Sequence, residues 1–320
     1  MRKIRYYQAV QEALEEEMRR DETVFVLGEG VEAGFFLMTT GLVEKFGRDR
    51  IMDTPLSEGV IAGATIGAAL AGYRPVADFS TGDFLYCAAA EGPAKAAQWH
   101  LIHGGKVNVP CVFLAGIGGY SRVGPEHSQC PETLILQRPG IKLVLPSTPY
   151  DAKGLMKTAI RDNNPVVYFF HKRLMAVEGE VPEEEYLIPF GKADIKREGT
   201  DVTVVATSYM VKLVLDAAKT FEERISVEVI DPRSLEPLDM ETILESVHKT
   251  GRVVIVDEDT ERCGPAAEIG MQIMENAFDD LDAPIKRVCA ANYPIAGGYM
   301  EELCLPQPRQ ILEAIETMMA

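Results

Sequence analysis

Short runs of β-branched and aromatic residues alternate with longer helical patterns along the whole chain, and this alternation constrains the fold more than any other feature. Such alternation is typical of βαβ units, whose strands pair in parallel. A first set of strands is predicted at residues 23–27, 75–79, 110–114, 142–145 and 165–170. A second set is predicted at residues 201–207, 225–230, 252–257 and 284–289, with helices near 211–221, 239–249, 265–277 and 307–318. The sequence therefore predicts two α/β domains.

The boundary between these domains is predicted from a change in pattern. Residues 178–190 are acidic, contain two prolines and show no sustained hydrophobic period, which is typical of a linker. We therefore expect a larger domain over residues 1–177 and a smaller one over residues 191–320. A chain of 320 residues is long enough to give each its own core.

Charge and composition exclude several classes of function. The chain has 32 basic and 49 acidic residues, a formal net charge of -17, so it should repel phosphate backbones and anionic lipid headgroups. The N-terminus lacks the apolar core of a secretory signal, and no apolar run is long enough to cross a bilayer. Six cysteines without a Cys-x-x-Cys pair favour reduced thiols. We expect a cytoplasmic protein that binds neither nucleic acid nor membrane.

One predicted helix has an unusual face. Gly59, Gly63, Gly67 and Ala71 recur every four residues, so they line one side of the helix with almost no side chain. Several glycines in one helix indicate close approach of another backbone, at a tight helix pair or a subunit contact. A generic Gly/Ala core helix is the alternative.

Glu58 immediately precedes this helix and follows a turn signal at Thr54 and Pro55. Its carboxylate should therefore lie at a helix N-terminus, where negative charge is favourable. The local pattern alone favours a capping or dipole role for Glu58.

Longer stretches of the chain resemble the beta subunit of the 2-oxoacid dehydrogenase complexes, within the transketolase-like superfamily. The segments that carry the resemblance are residues 41–42 (GL) with 46–47 (FG), 53–58 (DTPLSE), 127–129 (HSQ), 139–142 (PGIK), 146–149 (PSTP) with 151–155 (DAKGL), 159–165 (AIRDNNP), 228–231 (EVID), 246–247 (SV) with 249–251 (KTG), and 267–269 (AEI). They follow the family's order across nearly the whole chain. The resemblance implies a pyrimidine-binding domain with a parallel sheet, followed by a smaller transketolase C-terminal-like α/β domain.

The same resemblance implies thiamine diphosphate as cofactor. In that family an alpha subunit holds the diphosphate and its magnesium, while the beta subunit holds the aminopyrimidine. Glu58 matches the activating glutamate, whose carboxyl bonds to the pyrimidine ring nitrogen and favours the imino tautomer that removes the thiazolium proton. Phe84 matches the aromatic that packs on the aminopyrimidine, and Glu29, at the end of the first long strand, is a further candidate cofactor residue. A core phenylalanine and a turn glutamate are the alternatives.

His127 matches the family's loop histidine, which implies a catalytic role. It lies between the glycine-rich residues 116–120 and Ser128, and an imidazole there can exchange a proton with the reacting carbonyl or assist acyl transfer. A lone loop histidine is otherwise more often structural. The other four histidines have no comparable support.

A potassium site is also implied, because several family members bind the ion mostly through backbone carbonyls. The matching residues in this chain are Cys111, Ala159, Ile160, Asp162 and Asn164. Carbonyls at a helix end suit a hard cation because they lack helical partners. An ordinary helix stop at Asp-Asn-Asn-Pro is the alternative.

The chain departs from the family pattern in residues 90–98 (AEGPAKAAQ), where an Asp-Gln-Ile run and a later alanine-lysine pair are usual. It also lacks both the Gly-Asp-Gly motif that holds magnesium and a dinucleotide fingerprint. We therefore expect an alpha partner, as an alpha-two beta-two assembly.

The resulting hypothesis is a beta subunit that supports oxidative decarboxylation of a 2-oxoacid, with acyl transfer to the lipoyl groups of an acyltransferase core. Acetoin is an alternative substrate. The pyrimidine half of a split transketolase-like enzyme and a non-catalytic organising subunit are the remaining alternatives.

Overall fold

The chain folds into two units, each with its own hydrophobic core. The computed structural model describes residues 1–221 and 224–319. By their contacts, residues 1–117 and 134–190 form a first unit, and residues 118–133 and 191–320 form a second. The contacts thus assign residues 178–190 to the first unit, and a domain boundary there stays a prediction.

The first unit is built on a parallel sheet. Its elements are β1 (Arg2–Arg5), α1 (Tyr6–Arg20), β2 (Val24–Gly28), α2 (Leu42–Phe46), β3 (Ile51–Asp53), α3 (Glu58–Leu70), β4 (Arg74–Thr81), α4 (Leu85–Ala88), α5 (Pro93–Ile102), β5 (Val112–Ile117), α6 (Glu132–Leu136), which begins in the second unit, β6 (Lys142–Val144), α7 (Pro149–Arg161), β7 (Val166–His171) and β8 (Glu178–Val181). Six of these strands lie in the order β6-β7-β5-β4-β2-β3, and each pairs in parallel with its neighbour. All five strands predicted for this half are present.

The central strands show why the parallel arrangement forms. Every residue of β5 and β7 is buried, as expected for a sheet covered on both faces by helices. Helix α7 begins with a hydroxyl cap, because the Thr148 hydroxyl accepts a hydrogen bond from the Asp151 backbone N–H at 3.1 Å. Two short strands that were not predicted, β1 and β8, pair with each other in antiparallel fashion.

Helices α1 and α7 are joined by buried ion pairs. Lys153 and Lys157 of α7 are almost fully buried, and their ammonium groups lie 2.6 and 2.7 Å from Glu16 of α1. Glu17, fully buried, binds the Arg161 guanidinium with two hydrogen bonds of 2.7 and 2.9 Å. Because an unpaired buried charge is strongly destabilising, these pairs fix how α1 and α7 pack.

The second unit repeats the parallel plan on a smaller scale. Its elements are β9 (Asp194–Arg197), β10 (Val202–Ala206), α8 (Tyr209–Ala218), β11 (Val227–Asp231), β12 (Ser234–Glu236), α9 (Met240–Thr250), β13 (Val253–Thr260), α10 (Pro265–Ala277), β14 (Lys286–Ala290) and α11 (Pro308–Met318). Five strands lie in the order β14-β13-β10-β11-β9, all parallel except β9. None of the described helices in either unit is long and apolar enough to span a membrane.

Buried acidic residues cluster where β13 ends. Asp257, Glu258 and Asp259 follow one another there, and Glu132 lies close enough to interact electrostatically with all three. Burial, reinforced by Asp259, raises the pKa of Asp257 to about 7. Burial and Asp259 likewise raise the pKa of Glu132 well above its usual range. At neutral pH this cluster therefore holds protons that an unfolded chain would release.

Replacing Asp257 should change how stability depends on pH. The raised pKa of Asp257 stabilises the folded state fully below about pH 4, and this contribution is lost as pH rises through about 7. The Asp257→Asn variant should therefore gain stability relative to wild type between pH 5 and pH 8.5, by roughly 1 to 3 kcal/mol. Urea denaturation at several pH values measures this difference.

Asp216→Asn is the matched control, because Asp216 lies on the surface of the same unit beside Lys212 and Lys219. That substitution should give no such gain. Parallel pH profiles for wild type and Asp257→Asn would contradict the assignment.

Candidate functional site

Three of the residues proposed for the cofactor follow adjoining strands of the first unit. Strand β2 lies between β3 and β4. Glu29 follows β2, Glu58 begins the helix after β3, and Phe84 lies in a 3-10 turn directly after β4. The structure therefore brings Glu29, Glu58 and Phe84 to the carboxyl edge of one parallel sheet, where open α/β sheets bind their ligands.

Gly28 allows the strands at this edge to approach closely. Its Cα pairs with Asp53 of β3 on one side and with Asp78 of β4 on the other. A Cβ built on Gly28, whose φ is +155°, would lie 2.3 Å from the Asp78 carbonyl oxygen. Any larger residue would therefore push β4 away from β2.

Glu58 is the first residue of α3, and Ser57 precedes it as the N-cap residue. The Ser57 side chain makes no capping hydrogen bond, and Glu58 is the acidic residue of the first turn, where negative charge is favourable. Glu58 and Phe84 are half-buried, whereas Glu29 is exposed. The position of Glu58 suits a carboxyl group that must be partly screened from water yet reachable by a ligand.

Unpaired polar atoms at the same edge were not foreseen from the sequence. The hydroxyl oxygens of Thr54, after β3, and Thr81, at the end of β4, are buried without a hydrogen-bond partner in the described part of the chain. Buried hydroxyls normally have partners, so these two oxygens fit an edge that binds a polar group. The residues present therefore fit a cofactor with ring nitrogens and an amino group.

The backbone directly before Thr81 is strained. Ser80 has a φ of +62° at a register shift in β4, and its N–H donates to the Asp78 carboxylate at 2.8 Å. Burial raises the pKa of Asp78 to about 6, and the Ser80 hydrogen bond opposes that rise. Strain of this kind clusters at ligand-binding sites.

His127 belongs to the second unit. It is exposed, on residues 118–133, which are called the His127 segment below. Its N–H donates to the Gly124 carbonyl at 3.3 Å, and Gly118 N–H donates to the Gln129 carbonyl at 3.2 Å, which folds the segment on itself. The structure thus groups Glu29, Glu58 and Phe84 in one unit and places His127 in the other.

The residues proposed for potassium lie around the C-terminal end of α7. The carbonyls of Ile160 and Asp162 both accept hydrogen bonds of 2.9 Å from one nitrogen of the Arg74 guanidinium. The Ala159 carbonyl accepts from Asp162 N–H at 3.3 Å. An internal cation therefore already contacts two of the proposed oxygens, and a carbonyl oxygen retains a second lone pair.

The remaining two proposed residues have structural partners in the same place. The Cys111 carbonyl accepts from Val166 N–H at 2.9 Å, and the backbone and side-chain N–H groups of Asn164 donate to the Asp162 carboxylate at 2.8 Å. Burial raises the pKa of Asp162, but its hydrogen bonds to Lys142 and Asn164 outweigh burial and lower it. Burial raises the pKa of the Cys111 thiol, so the sulfur stays protonated.

Helix α3 presents its glycine face to open space. A Cβ added to Gly59, Gly63 or Gly67 would meet no atom within 4 Å. In the altered stretch at residues 90–98, a Cβ on Gly92 would approach Ala62 of α3 to 3.0 Å, and Glu91 and Lys95 line a cavity together with Gly63 and Gly67. No group of three or more His, Cys, Asp or Glu side chains among residues 1–221 and 224–319 is arranged to hold a metal ion.

Comparison with known proteins agrees with this architecture. The model of the pyrimidine binding domain of transketolase matches residues 2–177, and that of the transketolase C-terminal domain matches residues 191–311. A solved split-gene transketolase, an inactive beta4 tetramer, has a TM-score of 0.80 at 23% identity, over 98% of both chains. That likeness shows the shared fold.

Three curated relatives are more similar in sequence. The 2-oxoisovalerate dehydrogenase subunit beta of Bacillus subtilis is 45% identical over 90% of this chain and 90% of its own. The acetoin:2,6-dichlorophenolindophenol oxidoreductase subunit beta of Cupriavidus necator is 43% identical over 99% and 98%. The pyruvate dehydrogenase E1 component subunit beta of Bacillus subtilis is 42% identical over 96% and 95%. The chain belongs to the transketolase-like family of thiamine diphosphate-dependent beta subunits that includes these 2-oxoacid and acetoin enzymes.

Proposed function

We propose that this beta subunit acts with an alpha chain to decarboxylate a 2-oxoacid oxidatively and to transfer the acyl group to the lipoyl arms of an acyltransferase core. The observation that carries the proposal is the placement of Glu58 at a helix N-terminus, on the sheet edge that also bears Phe84 and Glu29. The relatives named for 2-oxoisovalerate and pyruvate support the same reaction class.

Each residue at this edge has a chemical task in the proposal. Thiamine diphosphate, when bound, supplies the nucleophilic carbon and the electron sink for decarboxylation. The Glu58 carboxyl would hold the aminopyrimidine by sharing a proton with a ring nitrogen, and the half-buried Phe84 would offer an aromatic face to that ring. The unpaired hydroxyls of Thr54 and Thr81 accept or donate hydrogen bonds at the same edge, and Glu29 lies at its exposed rim.

His127 completes the proposed catalytic set. An imidazole can both donate and accept a proton, so His127 can exchange a proton with the substrate oxygen or with the incoming lipoyl thiol. Its exposed position on a loop suits contact with a substrate carried by another protein.

An alpha partner, in an alpha-two beta-two assembly, supplies what this chain lacks. The chain has no Gly-Asp-Gly motif for a magnesium diphosphate, so we assign both to the alpha subunit. The first unit leaves a large apolar surface exposed around α3 and α5, including Leu56 and Val60, each 68% exposed, and Leu101, 82% exposed. Exposed apolar residues at this density mark protein interaction sites.

A potassium ion is a further part of the proposal. The carbonyls of Cys111, Ala159, Ile160 and Asp162, together with Asn164, are the oxygen ligands we assign to it. Since Arg74 contacts two of these oxygens, the ion binds beside the guanidinium and competes with it for lone pairs.

Acetoin is the second candidate substrate, because two relatives named for acetoin match this chain at 43% and 42% identity. Ketol transfer by a split transketolase is a weaker candidate, since that solved structure shares 23% identity. A non-catalytic organising role would require Glu58 and Phe84 to be dispensable.

Replacing Glu58 tests the central assignment. Glu58→Gln and Glu58→Ala should lower turnover of the assembled enzyme at least about 100-fold, because the acid that activates the cofactor is lost. Assembly, measured by size-exclusion chromatography, should be unchanged. Glu44→Gln, which removes an exposed acid from the first turn of α2, is the matched control and should keep full activity. Normal turnover by either Glu58 variant would contradict the assignment of Glu58 as the acid that activates the cofactor.

The potassium site is tested through stability. Arg74→Met frees the Ile160 and Asp162 carbonyls, so potassium chloride should raise the Tm of this variant by about 2 to 4 °C more than choline chloride does. In wild type the difference between the two salts should be smaller. Equal shifts from both salts in both proteins would refute the site.

Substrate choice is tested by co-expressing this chain with its alpha partner and screening pyruvate, branched 2-oxoacids and acetoin with an artificial electron acceptor. We expect thiamine-dependent turnover, highest with a 2-oxoacid. Highest activity with acetoin would favour the second candidate, and transfer between sugar phosphates would favour the transketolase alternative. Equal activity of the alpha chain alone would overturn catalysis by this subunit.

A further inference from the structure

The His127 segment is held by two buried carboxylates of the second unit. Glu258, at the end of β13, accepts a hydrogen bond from Gly119 N–H at 2.5 Å. Glu301 accepts from Arg122 N–H with both carboxylate oxygens, at 3.0 and 3.1 Å. The two carboxylates are only 5% and 3% exposed, so their hydrogen bonds form away from water.

These two bonds lie where the backbone of the segment is most strained. Tyr120 and Arg122 both adopt left-handed conformations, with φ of +58° and +62°, which are unfavourable for residues other than glycine. Arg122 itself donates to Glu301, and Tyr120 directly follows Gly119, which donates to Glu258. The hydrogen bonds therefore stabilise a backbone path that the segment would not adopt alone.

Further contacts fix the same path. A Cβ on Gly119 would lie 2.5 Å from Leu305 and 3.2 Å from the Glu301 carboxylate, so the backbone is pressed against both. Val123 forms an isolated antiparallel bridge with Gly297. The far end is held by Thr133, whose hydroxyl donates to the Asp259 carboxylate at 2.9 Å.

We propose that Glu258 and Glu301 are positioning residues, which set the location of His127 by holding the backbone on its N-terminal side. The inference rests on the catalytic role proposed for His127. Neither glutamate needs to touch substrate or cofactor. Their function is to keep the imidazole in one place while the segment around it remains exposed.

The test uses the full alpha and beta assembly with Glu258→Ala, Glu258→Gln, Glu301→Ala and Glu301→Gln. Hydrogen exchange of residues 118–133, measured by mass spectrometry, should rise about tenfold or more in the alanine variants, because the backbone acceptors are lost. Glutamine keeps a carbonyl acceptor without the charge, so exchange in those variants should rise only about threefold. Helix α9 should exchange at its wild-type rate throughout.

Kinetics separate positioning from a general loss of structure. The alanine variants should lower kcat about tenfold or more with little change in KM for the 2-oxoacid, and the glutamine variants should recover most of kcat. Glu302→Ala is the matched control, because Glu302 binds only the exposed Arg122 side chain among the contacts described, at 3.0 Å. It should leave both exchange and kcat unchanged.

The outcomes distinguish this inference from the proposed function. Unchanged exchange of residues 118–133 in all four variants would overturn the anchoring. Faster exchange with unchanged kcat, when His127→Ala is inactive, would overturn the positioning role. An active His127→Ala would instead remove the catalytic role of His127, and with it the positioning claim, while the exchange result would still stand. If the alanine variants fail to assemble, the threefold rise in the glutamine variants decides the question.

Discussion

Parallel pairing of β2 with β3 on one side and with β4 on the other is the constraint on which the candidate site depends. Parallel strands end at the same edge, so residues far apart in the chain, such as Glu29 and Phe84, become neighbours of that edge. The pairing in turn requires Gly28, since no other residue would let the Asp78 carbonyl approach so closely. The placement proposed for the cofactor thus follows from sheet geometry before any side chain makes a specific contact.

Burial of carboxyl groups is a second theme, and the two units use it differently. In the first unit, the buried Glu17 forms ion pairs with Arg20 and Arg161, and its pair with Arg161 joins α1 to α7. In the second unit, burial, reinforced by the neighbouring Asp259, raises the pKa values of Asp257 and Glu132. Glu258 and Glu301 meet backbone N–H groups instead. A carboxylate that accepts hydrogen bonds from backbone N–H groups can hold a loop without a partner among the side chains of that loop.

Much of the fold could be predicted from the sequence, because the central strands and α7 carry local signals. The hydrophobic run of β7 and the hydroxyl cap at Thr148 need no distant partner to be recognised. Strands β1 and β8 were missed because RKIR and EGEV are polar and short, and they become strands only by pairing with each other. The position of Glu58 at the start of a helix was predictable from a different local signal, the turn at Thr54 and Pro55.

The rest of the site depends on contacts between residues far apart in the chain. Arg74 reaches the Ile160 carbonyl from 86 residues away, and nothing local indicates it. The hydroxyls of Thr54 and Thr81 lack a hydrogen-bond partner among the described residues, and no sequence pattern indicates such a lack. Gly119 and Glu258 are separated by 139 residues, so the affiliation of the His127 segment with the second unit could not be read from its neighbours.

That affiliation means that the chain passes between the units at residues 117–118, 133–134 and 190–191 rather than once. Family models divide the chain at a single place, after residue 177, as though the two parts were independent modules. The His127 segment is encoded with one part and supported by the other. If relatives exchanged the C-terminal part of the gene, Glu258 and Glu301 would therefore be transferred but His127 would not. The two parts of the chain are therefore expected to evolve as a matched pair.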